Sequence, residues 1–424
     1  MLEAFNKSMQ NTLLSNPHSN TIHPSESSTI AEETRAKVLS FLHADPMHFD
    51  VVFTANATAA IKLVVECFTG HENGFDYLYH LNSHTSIVGV REVARQSRCL
   101  ASDEETEKWL LAERNGADTD HPERPTLFAY PAQSNMNGQR LPLNWPSLIR
   151  CNQAHQNTFT LLDAAAFVST GVLDLSDSDT APDFVAFSFC KVFGFPDLGA
   201  LIVRKASGHV LKHRKYFGGG TVDMITVLED HPQVVTREDS IHSRLEDGSM
   251  PIRSILALRC ALDAYESLFL DTKHVSKHTC WLVAGLYKRL SSLKHQNGHP
   301  VCYFYTADGS SYGDPLSQGA TIAMNLRRND GTWFDANEVG SLLLKQKVQV
   351  RTGSLCNPAG MAKALGWPAE AIKKAYAAGH RCSQQKIQKV PTKPFGMVRI
   401  TLGPLSTSVD VESICTWIGK LFVD

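Results

Sequence analysis

Nothing in this sequence pairs its cysteines. The ten are scattered singly, with no CxxC and no Cys/His spacing suited to zinc. A disulfide scaffold and a zinc module are therefore excluded, and each cysteine is by default a small core residue in a reducing compartment. Charge of one sign is also lacking: 41 Lys and Arg stand against 43 Asp and Glu, a net charge of -2. That balance gives no electrostatic reason to expect nucleic acid or an acidic membrane surface. No apolar run is long enough to cross a bilayer. The opening MLEAFNKSMQ is polar and amphipathic, reading as neither a signal peptide nor an Arg-rich transit peptide. No internal repeat or low-complexity tract stands out, and a cytosolic protein is expected. What remains is an ordinary globular composition, 43% hydrophobic and 20% charged over 424 residues. That is longer than one core usually serves, so a large and a smaller domain are expected.

The stretch Asp183 to Ala200, DFVAFSFCKVFGFPDLGA, organises the chain. It begins as an apolar run typical of a strand buried on both faces and ends in a turn rich in Gly and Pro. A second apolar run, ALIVR, follows. This pattern predicts two buried strands holding Lys191 at a strand end, facing inward. A buried lysine is costly unless paired or used covalently, and burial lowers its pKa and makes it nucleophilic, as a Schiff base requires. Taken alone, the stretch equally suits a surface lysine at a hairpin corner.

The surrounding sequence favours the chemical reading. A helix is expected from about Ser28 or Thr29, with Glu32 and Glu33 in its first turn. DVVF (50–53) reads as a strand running through small residues into the helix of TANATAAIKLVVECF. Strand, small residues and helix N-terminus make a phosphate-binding corner. YLYHL (77–81), TLFAY (126–130) and TFTLL (158–162) read as further strands, with charged surface helices and loops over 101–124. The alternation predicts a mostly parallel sheet covered by helices, whose ligands gather at the carboxyl ends of the strands. Thr58, His84, Asn135, Asp163 and Lys191 all fall there. KYFGGGTV (215–222) suits a backbone that binds an anion or a mobile loop. A long helix is expected after LEDGS, then a connecting helix over 273–295. Strands at VCYFYTA, ATIAMNL, VQVRTG and MVRITLG follow, with helices near 335–346 and 409–422.

An inward lysine, an aspartate, a histidine and an anion corner together suit pyridoxal 5'-phosphate. Lys191 would form the internal aldimine, and Asp163 would keep the pyridine nitrogen protonated. His84 would stack on the ring and shuttle protons. The phosphate would sit at Ala57 and Thr58, helped by Ser188.

The chain resembles the class V, fold-type I aminotransferases, and within them the desulfurase domain of molybdenum cofactor sulfurases. The resemblance rests on NPHSN (16–20), VVFTANATAAIKLV (51–64), NSHTSIVGVR (82–91), YPAQSNMNGQRLPL (130–143) and LLDAAAFVSTGVLDLS (161–176). It continues through SFCKVFGFPDLGALIV (188–203), YFGGGTV (216–222), LEDGS (245–249), VRTGSLCNP (350–358) and GMVRITLG (396–403). It implies a seven-stranded, mostly parallel sheet in a large cofactor-binding α/β domain over 16–272. A small α+β domain over 273–424 would carry the active-cysteine loop, with residues 1–15 packing nearby.

The same resemblance implies roles for single residues. Lys191 matches the aldimine lysine, Asp163 the partner of the pyridine nitrogen, and His84 the stacking, acid–base histidine. Asn135 matches an amide contacting cofactor or substrate, while Ala57, Thr58 and Ser188 match the phosphate ligands. Thr221 matches a threonine reaching the phosphate of a neighbouring subunit, which implies a homodimer. Arg399 matches the clamp on the substrate α-carboxylate. Cys356 matches the cysteine that takes sulfur from L-cysteine as a persulfide and passes it to an acceptor protein or the molybdenum cofactor. Arg351 is a candidate for activating it. A carbon–sulfur lyase acting on a related amino acid, and a non-catalytic relative, are the alternatives. Three departures accompany the resemblance. No YLDHAGA-like opening precedes NPHSN, Ser354 and Met361 flank Cys356 where relatives carry further cysteines, and no molybdenum-cofactor-binding domain follows. A stand-alone desulfurase domain is expected.

Overall fold

A computed structural model describes residues 1–15, 25–112, 123–379 and 393–424. NPHSN and part of the charged stretch over 101–124 lie outside the described residues. The chain divides into two compact units. The first holds residues 1–80, 86–132 and 142–271, and the second holds 81–85, 133–141 and 272–424.

The first unit is built on a seven-stranded sheet. Its strands are β1 (Phe49–Thr54), β2 (Asp76–His80), β3 (Gln96–Leu100), β4 (Thr126–Pro131), β5 (Thr158–Asp163), β6 (Phe184–Ser188) and β7 (Gly199–Arg204), in the spatial order β1-β7-β6-β5-β4-β2-β3. β3, β2, β4, β5 and β6 run parallel, and β7 runs antiparallel to both β6 and β1. The expected mostly parallel sheet is present. Burial explains the continuous apolar spelling of β6, every residue of which is buried. On one face Val52, Ile61, Val64, Phe68, Phe75, Leu161, Phe184 and Leu201 form a common core with the helix Ala57–Thr69.

Three local features differ from the sequence reading. The first long helix runs Glu26–Phe41, earlier than Ser28, because Ser25 caps it by accepting from the Ser28 amide. β3 was not expected: Gln96, Ser97 and Arg98 are exposed at the sheet edge, so QSRCL carries little apolar signal. Residues 1–15, expected to pack near the smaller domain, are assigned to the first unit. The helix Leu2–Asn11 lies against the helix Ile252–Phe269, and the Phe5 ring meets Phe195 edge-on at 5.8 Å. A two-stranded hairpin, β8 (Val222–Ile225) with β9 (Val234–Thr236), follows the triple glycine.

The second unit carries an antiparallel sheet of β10 (Cys302–Phe304), β11 (Thr321–Leu326), β12 (Arg351–Gly353) and β13 (Met397–Thr401), in the order β10-β11-β13-β12. Helices Thr272–Ser291, Ala336–Lys345 and Ser408–Phe422 bury Leu286, Val339, Ile414 and Ile418 with Ile322 and Val398 of the sheet. Thr407 and Asp410 close a capping box on the last helix. Among the described residues no helix is long and apolar enough to cross a membrane.

Candidate active site

The residues singled out in the sequence fall into two sets, one in each unit. In the first unit they gather along one edge of the sheet. The pairing register puts Thr54 and Ser188 on either side of Gly199, so the carboxyl ends of β1 and β6 flank the start of β7. Asp163, the last residue of β5, pairs with Ala186 on one side and Pro131 on the other.

The corner after β1 is tightly organised. Asn56 caps the helix Ala57–Thr69 by accepting from the Ala59 amide at 3.0 Å. The Ala57 amide donates to Ser188 Oγ at 2.8 Å, which links the helix start to the end of the lysine-bearing strand. Thr58 is exposed, and its hydroxyl lies 2.8 Å from that of Ser86. A Cβ on Gly199 would stand 2.5 Å from the Asn56 Cα, so only glycine lets the turn come this close. The corner therefore offers a 13-residue helix's positive end and three hydroxyls, a donor set that fits a phosphate. Ser86 was missed in the sequence because its partner, Thr58, is 28 residues away. A cleft of about 460 Å³ opens alongside, lined by Thr54, Ala55, Ala59, Asp197 and Asp247.

Lys191 corrects one expectation. β6 ends at Ser188, and the chain turns into a short helix, Cys190–Phe193. Phe189 and Val192 take the interior positions, which leaves Lys191 exposed rather than buried. Asp163 is only 7% exposed, with its Oδ1 accepting from the Ala165 amide at 3.0 Å. Thr221 is buried, and its hydroxyl donates to Gly218 O within the glycine loop at 2.8 Å.

The second set lies wholly in the second unit. Arg399 on β13 stands opposite Arg351 on β12. Arg399 Nη1 donates to Asn135 O at 2.7 Å, while its buried Nε finds no hydrogen-bond partner among the described residues. Burial lowers the Arg399 pKa and neighbouring Arg351 lowers it further, while Cys356 opposes the shift. Such a guanidinium is incomplete without an anion. Asn135 Nδ2 donates to Leu355 O at 2.6 Å, and the Thr85 amide, next to half-buried His84, donates to Cys356 O at 3.0 Å. Leu355 and Cys356 both hold left-handed backbones, with φ of 55° and 54°. Two successive non-glycine residues there cost about 1–3 kcal/mol each, which the bonds to Asn135 and Thr85 and the burial of Leu355 offset. Asn135, His84, Arg399, Arg351 and Cys356 are thus brought onto one connected framework.

The family model described as aminotransferase class-V matches residues 2–414. The chain belongs to the class-V aminotransferase family. It is 45% identical, over its full length, to a molybdenum cofactor sulfurase of Aspergillus clavatus, of which it covers 50%. The chain spans about half the length of the curated relatives it matches. An apo cysteine desulfurase from Thermococcus onnurineus superposes with a TM-score of 0.72 at 16% identity, covering 99% of this chain and 90% of that one. A cystine C–S lyase in complex with cysteine persulfide superposes with a TM-score of 0.69 at 15% identity, covering 100% of this chain and 94% of that one. Likeness at this identity establishes the fold: an α/β architecture shared with a desulfurase and a lyase.

Proposed function

We propose that this chain is a pyridoxal 5'-phosphate-dependent cysteine desulfurase that moves the sulfur of L-cysteine onto Cys356. The observation that carries this reading is the framework of the second unit. It sets a half-buried loop thiol near Arg399, which is short of a hydrogen-bond partner and faces Arg351 across the sheet. A substrate carboxylate would satisfy Arg399 bidentately, within reach of the loop that carries Cys356.

Thr58, the Ala57 corner and Ser188 would hold the cofactor's phosphate, Asp163 its ring nitrogen, and Lys191 its carbonyl carbon, with His84 on the ring. When bound, the cofactor supplies an electron sink for the bonds of the substrate's α-carbon. Lys191 and His84 carry protons to and from the substrate. Cys356 as thiolate attacks the substrate sulfur, so that an S–S bond forms as the C–S bond breaks. The balance is L-cysteine plus the Cys356 thiol giving L-alanine plus the Cys356 persulfide, with no external oxidant or reductant.

Identity of 45% along the whole chain to a protein named for sulfuration of the molybdenum cofactor supports that cofactor, or a protein carrying it, as the acceptor. A homodimer fits the hairpin β8–β9, which leaves Ile225, Val234 and Val235 exposed beside the Thr221 loop. Thr221 would then serve the neighbouring subunit's phosphate. The described cysteines are all free thiols, which suits the cytosol.

The test is mass spectrometry of the cofactor-loaded protein after brief exposure to L-cysteine, beside Cys356→Ser and Lys191→Ala. Added sulfur on the Cys356 peptide, absent from both variants, is the expected result. Turnover that survives in Cys356→Ser would instead assign a carbon–sulfur lyase. A protein that takes up no cofactor would be a non-catalytic relative.

A further inference from the structure

Asn357, next to the sulfur-accepting cysteine, is completely buried and uses both halves of its amide. Its Oδ1 caps the helix Pro358–Leu365 by accepting from the Gly360 amide at 3.1 Å. Capping needs only an acceptor, and Asp, Ser or Thr would provide one. The Nδ2 half is therefore not explained by the helix. It donates to Asn82 O at 2.9 Å and to Asn135 Oδ1 at 3.2 Å.

These two bonds close a ring around the strained residues. Asn82 leads through His84 to Thr85, whose amide holds Cys356 O at 3.0 Å. Asn135 holds Leu355 O at 2.6 Å through its own Nδ2, and Arg399 grips the Asn135 carbonyl. Asn357 thus ties together the histidine segment, the asparagine loop and the cysteine loop. Gly360 makes room for this knot: a Cβ there would lie 2.6 Å from Asn357 Oδ1 and 2.9 Å from Asn82 Oδ1. Left-handed backbone at Leu355 and Cys356 is unfavourable by itself, so the loop keeps it only while the ring over-determines it.

We propose that Asn357 is the positioning residue of the sulfur-transfer step, its amide N–H bonds to Asn82 and Asn135 holding the Cys356 thiol where it attacks the substrate sulfur. The proposal rests on the desulfurase reading. Asn357 touches no reacting atom and acts through the backbone of Cys356. Asn357→Asp keeps the helix cap but turns both donations into repulsions between oxygens. Gly360→Ala pushes on the same knot from the other side while placing a better helix former in the helix.

The experiment uses the cofactor-loaded protein, following L-cysteine binding by the visible absorbance change and sulfur arrival on Cys356 by rapid quench and mass spectrometry. For both variants the apparent L-cysteine affinity stays within about threefold of the parent, while sulfur arrival slows by about tenfold or more. In the cofactor-free protein, hydrogen exchange of the peptide spanning 350–360 becomes faster, a readout independent of turnover. If the parent protein itself gains no sulfur on Cys356, the desulfurase reading fails and the inference with it. If the parent gains sulfur and both variants do so at its rate, the inference alone is overturned. Equal loss of binding and of sulfur arrival also overturns it, because that pattern is general damage to the fold.

Discussion

Arg351 and Arg399 face each other directly across the antiparallel pair of β12 and β13. Like charges in that position destabilise a sheet. Arg399 is also half-buried, with its pKa lowered by that burial and by Arg351. Two cations held together at a cost to the sheet make a site waiting for an anion. On the proposed reading, that anion is the α-carboxylate of the amino-acid substrate.

That relationship separates stability from catalysis. Arg351→Gln removes the opposed charge and is expected to raise stability by about 0.2–1 kcal/mol in urea unfolding. The same change slows sulfur arrival on Cys356. Arg399→Lys keeps a charge but loses the planar fork, so KM for L-cysteine rises about tenfold or more. Steady-state kinetics of alanine formation reads this out.

Ser188→Ala takes away the acceptor of the Ala57 amide at the anion corner. Leaving that buried donor unpaired is expected to cost about 1–3 kcal/mol in the cofactor-free protein. Calorimetry with and without pyridoxal 5'-phosphate would show the variant less stable and also less stabilised by the cofactor. Gly199→Ala is expected to act in the same direction by pushing on Asn56.

Arg35 and Glu246 form a buried bidentate pair, 2.7 and 2.5 Å between their atoms, and Glu246 Oε1 also accepts from the Phe53 amide. Burial pulls the Arg35 pKa down, but the carboxylate of Glu246 more than reverses it. Glu246→Ala leaves the buried Arg35 guanidinium only the exposed carboxylate of Glu32 as an ionic partner, and is expected to cost about 3–5 kcal/mol. Arg35→Met combined with Glu246→Leu is expected to cost clearly less. Denaturant unfolding of the single and double variants checks the difference.

Acid is expected to weaken the first unit through His155. The ring is buried, with Nε2 3.1 Å from Trp109 O, and burial holds its pKa below the ordinary 6.5. Between the lowered folded value and the unfolded one, the unfolded chain binds the extra proton, so stability rises with pH there. The full contribution is present above pH 6.5 and is lost as pH falls through the lowered value. Thermal melts from pH 8 towards pH 5 would show a steeper loss in the parent than in His155→Gln.

Much of the molecule was legible because its signals are local. The apolar run of β6, the small-residue corner after β1 and the turn around Cys356 each identify themselves within a few residues. The sheet edge was harder to read: β3 exposes polar side chains, and an exposed strand has no need of an apolar pattern. Lys191 shows a different limit, since one helical turn exchanges the positions that an extended strand would bury.

The family resemblance pointed to Cys356, while by itself the sequence determined the parallel α/β sheet and the strand-end gathering of Thr58, Asp163 and Lys191. It did so because hydrophobic period and turn chemistry act over short distances. Tertiary structure alone decided the partners: Ser86 for Thr58, Arg351 opposite Arg399, and Asn357 reaching Asn82 and Asn135 across more than 200 positions of chain. Hydrogen bonds and charge pairs depend on distance in space, and only packing within each unit brings such residues together.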